Sequence, residues 1–186
     1  MSKKIGIIAE DASDVAVIDS ILEKYMASNK YSVKKFVGNG CGKLRNKCGT
    51  WANMLSVYGC DHIMLFHDLD RYNMAELRKT LTKKVSKDTH PNSIIVIPVE
   101  ELEAWLLSDM KAIKKVFRLR KVPKKIHDCE SVTSPKEHLR DLVWAAGKKR
   151  YLNTTHNKKI AQAASVTNFR RCKSYKEFDE YVKNMA

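Results

Sequence analysis

The sequence predicts an α/β fold in which a parallel four-stranded sheet is covered by helices on both faces and followed by a helical C-terminal extension. Three observations predict it. Short apolar runs alternate with stretches of helical spacing four times within residues 1–117. Glycine or acidic residues follow each apolar run, as expected where strands end. From about residue 118 only helical patterns continue, so residues 118–186 are predicted to be a basic helical extension packed on the sheet domain.

The first half of the sheet is predicted from two strand and helix pairs. Residues 5–9 form an apolar run that ends in Glu10, and residues 31–37 form a second strand that stops at the glycine turn 38–40. Asp11 or Ser13 can cap the helix after the first strand. That helix is indicated by apolar residues spaced three, four and three apart, at Val15, Ile18, Leu22 and Tyr25. The second helix ends at Gly59 and is indicated by Leu44, Cys48, Trp51, Leu55 and Tyr58.

The second half of the sheet follows the same alternation. Residues 62–66 are predicted to form the third strand, and a polar helix should span about residues 74–87. Residues 93–99, rich in isoleucine and valine, predict the fourth strand, and a single helix should open at residues 100–105. That last helix is carried by Leu106, Ile113 and Phe117.

Three further helices are predicted in the extension. The first starts at Ser134-Pro135 and runs to Gly147, the second lies near residues 159–165, and the third spans residues 175–184. The three tryptophans sit in helical apolar patterns, which favours core packing over base stacking. They are Trp51, Trp105 and Trp144.

The charge balance favours a polyanionic partner. The chain has 35 Lys and Arg against 21 Asp and Glu, a net charge of +14. Such an excess predicts salt-dependent association with nucleic acid. Two segments each contain eight Lys or Arg residues and no Asp or Glu, residues 111–125 and residues 148–173. We expect both segments to contact phosphates, with Lys148, Lys149 and Arg150 as nucleic-acid-binding residues.

Cysteine usage and hydropathy predict a cytoplasmic protein with no membrane partner. The five cysteines are odd in number and form no CxxC pair, which argues against structural zinc. The chain opens with no signal peptide pattern, and no apolar run approaches the roughly 20 residues needed to cross a bilayer. Free thiols without a secretion signal are typical of a reducing compartment.

Acidic residues follow two of the predicted strands. Glu10 ends the first strand, and Asp68 and Asp70 follow the third. Carboxyl ends of parallel strands meet at one edge of a sheet, where ligands bind. Converging carboxylates repel one another, and a hard divalent cation such as Mg²⁺ or Mn²⁺ relieves that repulsion while serving phosphoryl transfer. We therefore predict a metal site at this edge, against the alternative of solvated strand-end aspartates.

These motifs resemble the Toprim domain, a Rossmann-like domain of topoisomerases, bacterial primases and OLD-type and small stand-alone nucleases. The resemblance covers roughly residues 4–110 and rests on Glu10 with Asp14, the turn 38–40, and Asp68-x-Asp70. In addition, residues 98–109 resemble small Toprim-like proteins of bacterial anti-phage and toxin-like systems.

The resemblance implies a role for each matching acid. Glu10 would be a metal ligand or general acid/base, Asp68 and Asp70 would bind metal, and Asp14 would join the catalytic set. Asp11 replaces the glycine usual after the first glutamate, so it could alter the metal spacing or add a ligand. Glu100 or Glu103 could complete a second metal position; the alternative is that both only complement a helix dipole.

The function predicted is a Mg²⁺-dependent endonuclease, with RNA, tRNA included, slightly favoured over DNA by analogy. Three basic residues follow the glycine turn and would bind phosphate, namely Lys43, Arg45 and Lys47. The alternative is that they only form a solvated helix face. The resemblance also implies a role in phage defence or a toxin-like system, a regulatory ATPase-type protein partner and a homodimer. Two alternatives stay open: a non-catalytic nucleic-acid-binding subunit, and a receiver-like signalling domain. NTP hydrolysis is not expected, because residues 40–43 lack P-loop spacing.

Overall fold

The sheet is parallel throughout and has four strands. A computed structural model describes residues 2–186. The strands are β1 (Lys3–Ala9), β2 (Tyr31–Val37), β3 (His62–Phe66) and β4 (Ser93–Val96), in the order β2-β1-β3-β4. The predicted α/β fold with a four-stranded parallel sheet is therefore confirmed.

The strand order places a crevice between β1 and β3. The chain leaves β1 towards β2 on one side and later returns to β3 on the other side of β1. Ile8 pairs with Phe36 of β2 and with Leu65 of β3, so the three strands end at nearly the same level. Connections that diverge from neighbouring strands leave a crevice at the carboxyl ends, where α/β proteins bind their ligands.

Helices connect the strands and continue through the C-terminal extension. Three of them join consecutive strands, namely α1 (Ala12–Leu22), α2 (Cys41–Val57) and α3 (Met74–Lys84). After β4 the chain forms α4 (Glu103–Leu106), α5 (Met110–Phe117), α6 (Pro135–Gly147), α7 (Asn153–Ala163), α8 (Val166–Phe169) and α9 (Tyr175–Met185). Short 3₁₀ turns lie at Ser28–Lys30 and Cys129–Ser131.

Strand alternation divides the buried side chains between two cores. Along β1, Ile5, Ile7 and Ala9 enter one core, whereas Ile8 enters the other. The second core is closed by α2 and α3, through residues such as Leu55 and Leu81. Side chains of successive strand residues point to opposite faces, so a strand segment covered on both sides is apolar throughout, as residues 5–9 of β1 and 63–66 of β3 are.

The C-terminal extension shares the first core with the sheet. Phe178 of α9 packs edge to face on Phe66 of β3, at 5.2 Å between ring centroids, and Trp105 of α4 is fully buried beside it. Ile160 and Ala161 of α7 are buried in the same cluster as α1. The extension is therefore continuous with the core and can bring its own side chains to the sheet.

Several element boundaries differ from the sequence prediction. Strand β4 ends at Val96 instead of residue 99, because Pro98 has no N–H with which to extend the ladder. The single helix predicted from residue 100 is two helices, because the Asp109 carboxylate accepts the N–H groups of Lys111 and Ala112 and starts α5 anew. Helix α7 begins at Asn153, six residues before the predicted start.

Trp144 is not a core residue. Its side chain is 54% exposed, whereas Trp105 is buried and Trp51 is half-buried and stacked on Phe36. The buried face of α6 is formed by Pro135, Leu139 and Val143, and the next residue along a helix turns by about 100°.

No helix in residues 2–186 combines the length and the apolar character needed to cross a bilayer.

Candidate acidic metal centre

A polar cleft of about 370 Å³ opens at the carboxyl ends of β1 and β3. We call it the acid cleft; its lining consists of Glu10, Asp11, Asp14, Asn39, Gly40, Asp68, Asp70, Glu101, Glu103 and Lys136. Seven of these ten residues carry carboxylates and only Lys136 carries a positive charge. A larger groove of 510 Å³ between α3 and α9 has three carboxylates in its lining. The convergence of acids at a crevice of the sheet, more than cavity size, marks the acid cleft as the candidate site.

The β1 side of the acid cleft is built by a capping box at the start of α1. Asp11 is the N-cap, and its Oδ1 accepts the N–H groups of Ser13 at 2.6 Å and Asp14 at 3.2 Å. In return, Oδ2 of Asp14 accepts the Asp11 N–H at 2.9 Å. Asp11, which departs from the Toprim pattern, thus starts the helix. It also holds the side chain of Asp14 at the edge of the acid cleft beside Glu10.

The β3 side is held by the pairing of two loops. The Leu69 N–H donates to the Pro98 carbonyl at 2.9 Å, and the Asp70 N–H donates to the Glu100 carbonyl at 3.0 Å. Asp68 accepts the Leu102 N–H at 3.0 Å through Oδ1. Asp70 adopts a left-handed conformation with φ of 47°, which is tolerated by Asp and Asn better than by most residues. The aspartate pair is therefore fixed by backbone contacts.

The glycine turn brings a cysteine next to two residues of the acid cleft. The Asn39 N–H donates to the Glu10 carbonyl at 2.8 Å, and Gly40, with φ of 123°, is the N-cap of α2. This turn places the Cys41 thiol beside Glu10 and Asp70, with one potential ligand atom from each of the three within 4.8 Å of one another. Cys41 was not predicted from the sequence, because a cysteine without a partner cysteine carries no metal-binding motif.

Asp68 lies in the acid cleft but outside this three-atom group. Of the predicted metal ligands Glu10, Asp68 and Asp70, Glu10 and Asp70 belong to the three-atom group. Asp68 faces deeper acids instead, since Asp14 and Glu103 are the first charges that raise its pKa after burial itself.

Of the two glutamates proposed for a second metal position, the structure places only Glu103 in the acid cleft. Glu103 is 4% exposed, and its Oε1 accepts the Asn157 side-chain N–H at 2.9 Å. The Tyr151 hydroxyl, which donates to Asn157 Oδ1, has its oxygen 3.4 Å from the same Glu103 Oε1. Glu100 is not among the lining residues; it has φ of 59° and uses its carbonyl to anchor Asp70. Its side chain leaves the cleft because this left-handed turn redirects the chain before α4.

Two further lining residues are Glu101, whose role the sequence left open beside Glu100 and Glu103, and Lys136, which was not predicted. Glu101 accepts the backbone N–H of Lys136 at 2.8 Å, which joins the start of α6 to the acid cleft. Lys136, Tyr151 and Asn157 all come from the extension, 33 or more positions after Glu103. No periodic pattern in the sequence indicates that such distant residues meet, so only the tertiary structure reveals them.

Burial and mutual repulsion raise the pKa of five carboxyl groups in the acid cleft. Burial is the largest cause in each case. Repulsion by Asp70 also raises the pKa of Glu10, and repulsion by Asp11 raises that of Asp14. Hydrogen bonds oppose this rise without cancelling it: the Asn157 amide acts on Glu103, and backbone N–H groups act on Glu10, Asp14 and Glu101. The cleft therefore holds more negative charge than its own donors compensate.

None of the lysines and arginines predicted to bind phosphate is in the lining of the acid cleft. Arg45 is half-buried, with its guanidinium 4.4 Å from the ring centroid of Tyr72, which follows Asp70 by two positions. Lys43 and Lys47 are exposed on α2. The three bases that follow α6 are also exposed, and they directly precede Tyr151; they are Lys148, Lys149 and Arg150.

His67 stays outside the acid cleft. It is 1% exposed, its Nδ1 lies 2.6 Å from the Asp68 carbonyl oxygen, and its buried Nε2 has no partner in the described residues. Burial lowers its pKa, so the ring is neutral near pH 7 with the proton on Nδ1. These contacts agree with a structural role.

The donor set of the acid cleft fits a divalent cation. Carboxylate oxygens are the ligands preferred by Mg²⁺ and Mn²⁺. Glu10 and Asp70 are close enough to bind one ion together, and the Cys41 sulfur adds a donor suited to softer metals. The uncompensated negative charge supplies the reason for such an ion to bind.

Comparison with curated proteins and with solved structures finds no match to this chain. One family model, described as a domain of unknown function (DUF4276), matches residues 9–184, which include every residue of the acid cleft. The chain therefore belongs to the DUF4276 family.

Proposed function

We propose that this protein is a divalent-cation-dependent nuclease that hydrolyses phosphodiester bonds at the acid cleft. One observation carries the proposal: five carboxyl groups with raised pKa converge on a crevice that contains a single lysine. Such an arrangement destabilises the folded chain, and a bound cation offsets the cost. In a chain of net charge +14, an acid cluster inside a basic surface suits a reaction on a polyanion.

The acids divide the work by position. Glu10 and Asp70 would hold the cation, with Asp68 beside them on its fixed loop. When bound, the cation would polarise a phosphoryl oxygen and lower the pKa of the attacking water. Asp14, whose own pKa is raised by burial and by Asp11, is suited to accept a proton from that water. Lys136 is placed to stabilise negative charge on the phosphate.

The substrate and the partners are proposed from the family resemblance alone. RNA, tRNA included, is slightly favoured over DNA only through the resemblance to toxin-like Toprim nucleases. A role in phage defence, a regulatory ATPase-type partner and a homodimer stay predictions on the same basis.

A second candidate is a non-catalytic nucleic-acid-binding subunit. It is favoured by the structural use of several acids: Asp11 caps α1, Asp14 completes the capping box and Asp68 binds the Leu102 N–H. On this alternative the chain would bind nucleic acid without cleaving it, and the acids would only organise the loops.

Cleavage assays with Asp70→Asn separate the two candidates. Asparagine keeps the volume of Asp70 and tolerates its left-handed backbone, so the variant removes a charge with little strain. We expect wild type to cut tRNA, single-stranded RNA or DNA with Mg²⁺ or Mn²⁺, and Asp70→Asn to lose at least about a hundredfold in rate. The control is Asp61→Asn, at the opposite edge of the sheet, where the side chain accepts the Lys4 N–H.

Two outcomes would contradict the nuclease proposal. Equal cleavage by wild type and Asp70→Asn would assign the activity to another site or to a contaminant. Binding without cleavage by any form, across both metals and all substrates, would instead favour the binding subunit.

A further inference from the structure

Helix α6 carries a line of basic and aromatic side chains that starts at the acid cleft. Lys136, in the first turn, lines the cleft. Arg140 and Trp144 follow at intervals of four residues, and residues so spaced lie along one side of a helix. Lys148, the C-cap, lies over the indole of Trp144 with its Nζ 5.3 Å from the ring centroid. The line therefore leads from the candidate reaction centre to the basic end of the helix.

Trp144 has no structural need for its exposed position. The core side of α6 is complete without it, through Pro135, Leu139 and Val143. A large indole that is 54% exposed and next to a lysine offers one flat apolar face bordered by positive charge. Nucleic-acid bases stack on such faces while cations contact the neighbouring phosphates.

The two basic segments of the sequence meet beside Trp144. Leu119 packs so closely on Gly147 that a Cβ built there would lie 2.6 Å from the leucine Cδ2. Phe117 stacks on His156 at 4.6 Å between ring centroids, which ties the end of α5 to α7. These contacts bring two sets of exposed basic side chains together at the adjoining ends of α5 and α6. The first set is Arg118, Arg120 and Lys121, and the second is Lys148, Lys149 and Arg150.

We propose that this face of α6 is a binding surface for single-stranded nucleic acid. One unpaired nucleobase would stack on Trp144, and the lysine and arginine side chains around it would bind the flanking phosphates. Eight residues of helix separate Lys136 from Trp144, about 12 Å at 1.5 Å per residue. A strand held at Trp144 can therefore reach the acid cleft within a few nucleotides. The inference rests on the proposed function for what happens in the cleft, but binding at Trp144 does not require cleavage.

The single-stranded preference follows from the geometry of stacking. A base within a duplex has both faces covered by its neighbours, so it cannot lie on a protein side chain unless it leaves the stack. A duplex would still contact the lysines and arginines through its phosphates, with lower affinity and no dependence on the indole.

The test measures binding of labelled oligonucleotides by fluorescence anisotropy in the presence of EDTA, so that no cleavage occurs. Three probes of equal length are compared: a single-stranded homopolymer, the same backbone with abasic positions, and a duplex. We expect wild type to bind the homopolymer about tenfold more tightly than either of the others. The Trp144→Ala variant should lose about tenfold for the homopolymer and almost nothing for the abasic strand.

The matched control is Tyr58→Ala. Tyr58 is also exposed, with the Lys34 ammonium 4.6 Å from its ring centroid, but it lies at the end of α2, opposite the acid cleft. This variant should bind all three probes like wild type. RNA and DNA versions of the homopolymer identify the preferred sugar.

Unchanged homopolymer binding by Trp144→Ala would overturn the inference, as would equal affinity of wild type for normal and abasic strands. Both outcomes leave the nuclease proposal standing if Asp70→Asn still abolishes cleavage. Conversely, selective loss of base-dependent binding in Trp144→Ala supports the surface even if no cleavage is ever detected.

Discussion

Cys41, which adjoins two residues of the acid cleft, alters the expected metal chemistry most. Its sulfur shares a ligand group with the carboxylates of Glu10 and Asp70. Oxygen ligands alone would suit Mg²⁺, whereas a thiolate selects softer ions such as Zn²⁺. A site with both kinds of donor can therefore bind Zn²⁺ tightly without depending on the thiol for Mg²⁺.

A Cys41→Ser variant tests this division. We expect its affinity for Zn²⁺ to fall about tenfold, because the soft donor is lost, while the Mg²⁺ dependence of any cleavage stays the same. Calorimetric titration with Zn²⁺ measures the first effect without requiring activity. Cys60→Ser is the control, since Cys60 is half-buried near the amino end of β3. Equal Zn²⁺ affinity in wild type and Cys41→Ser would show that the thiol is not a ligand.

At the scale of elements, hydrophobic periodicity predicted most of the strands and helices. The strand at Tyr31–Val37 and the helix at Pro135–Gly147 have the predicted bounds, because Gly38 and the Ser134-Pro135 pair mark real ends. Hydrophobic periodicity could not show that Asp109 starts a new helix, because it does not distinguish an N-cap aspartate from any other aspartate. It also misplaced Trp144, because one position on a helix decides between core and solvent.

Helix α7 supplies a hydrogen bond to one residue of the acid cleft as well as packing. Asn157 is fully buried; its amide donates to Glu103, and its Oδ1 accepts the Tyr151 hydroxyl at 2.5 Å. The amide lowers the pKa of Glu103 against the larger effect of burial. Asn157 is therefore a positioning residue that orients a buried carboxyl group and opposes the rise in its pKa.

Replacing Asn157 with Leu should reduce both stability and function. The loss of a buried donor beside a carboxylate costs about 1–3 kcal/mol in the free energy of unfolding, measured by denaturant titration. If Glu103 binds or orients the metal, divalent-cation affinity should also fall, by about tenfold. Adding Glu103→Gln should restore part of the lost stability, because the buried group is then neutral. A variant with reduced stability but unchanged metal affinity would confine Asn157 to a structural role.

For the whole molecule, the sequence predicted that acidic residues gather at the carboxyl-end edge of the sheet. It did not predict which residues of the C-terminal extension join them. Parallel strands end together, so Glu10, Asp68 and Asp70 were expected to converge, and all three line one cleft. The residues of the extension that complete the cleft follow from packing across more than 30 positions of sequence. Sequence spacing could not choose between Glu100 and Glu103 either, because the choice depends on the left-handed turn at Glu100.

The ionised carboxylates of the acid cleft lower the free energy of unfolding of the metal-free protein at neutral pH. The folded pKa values of Asp14, Asp68 and Glu103 lie above the ordinary values of 3.8 for Asp and 4.5 for Glu. A group whose pKa is raised by folding stabilises the protein fully below its unfolded pKa. That contribution is lost as the pH rises through the folded pKa. In the metal-free protein, these three groups should therefore contribute less to the free energy of unfolding at neutral pH than under mildly acidic conditions.

Thermal unfolding with and without a divalent cation tests this effect. In EDTA, lowering the pH from about 7.5 to about 5.5 should raise the Tm of wild type relative to Asp14→Asn, whose uncharged side chain still accepts the Asp11 N–H. Comparing the two forms cancels the opposite effect of His67, whose lowered pKa makes acidification destabilising. Mg²⁺ or Mn²⁺ should raise the Tm more at about pH 7.5 than at about pH 5.5, since protons and cation compete for the same carboxylates. If the cation stabilises the protein equally at both pH values, or not at all, the acids of the cleft are not its ligands.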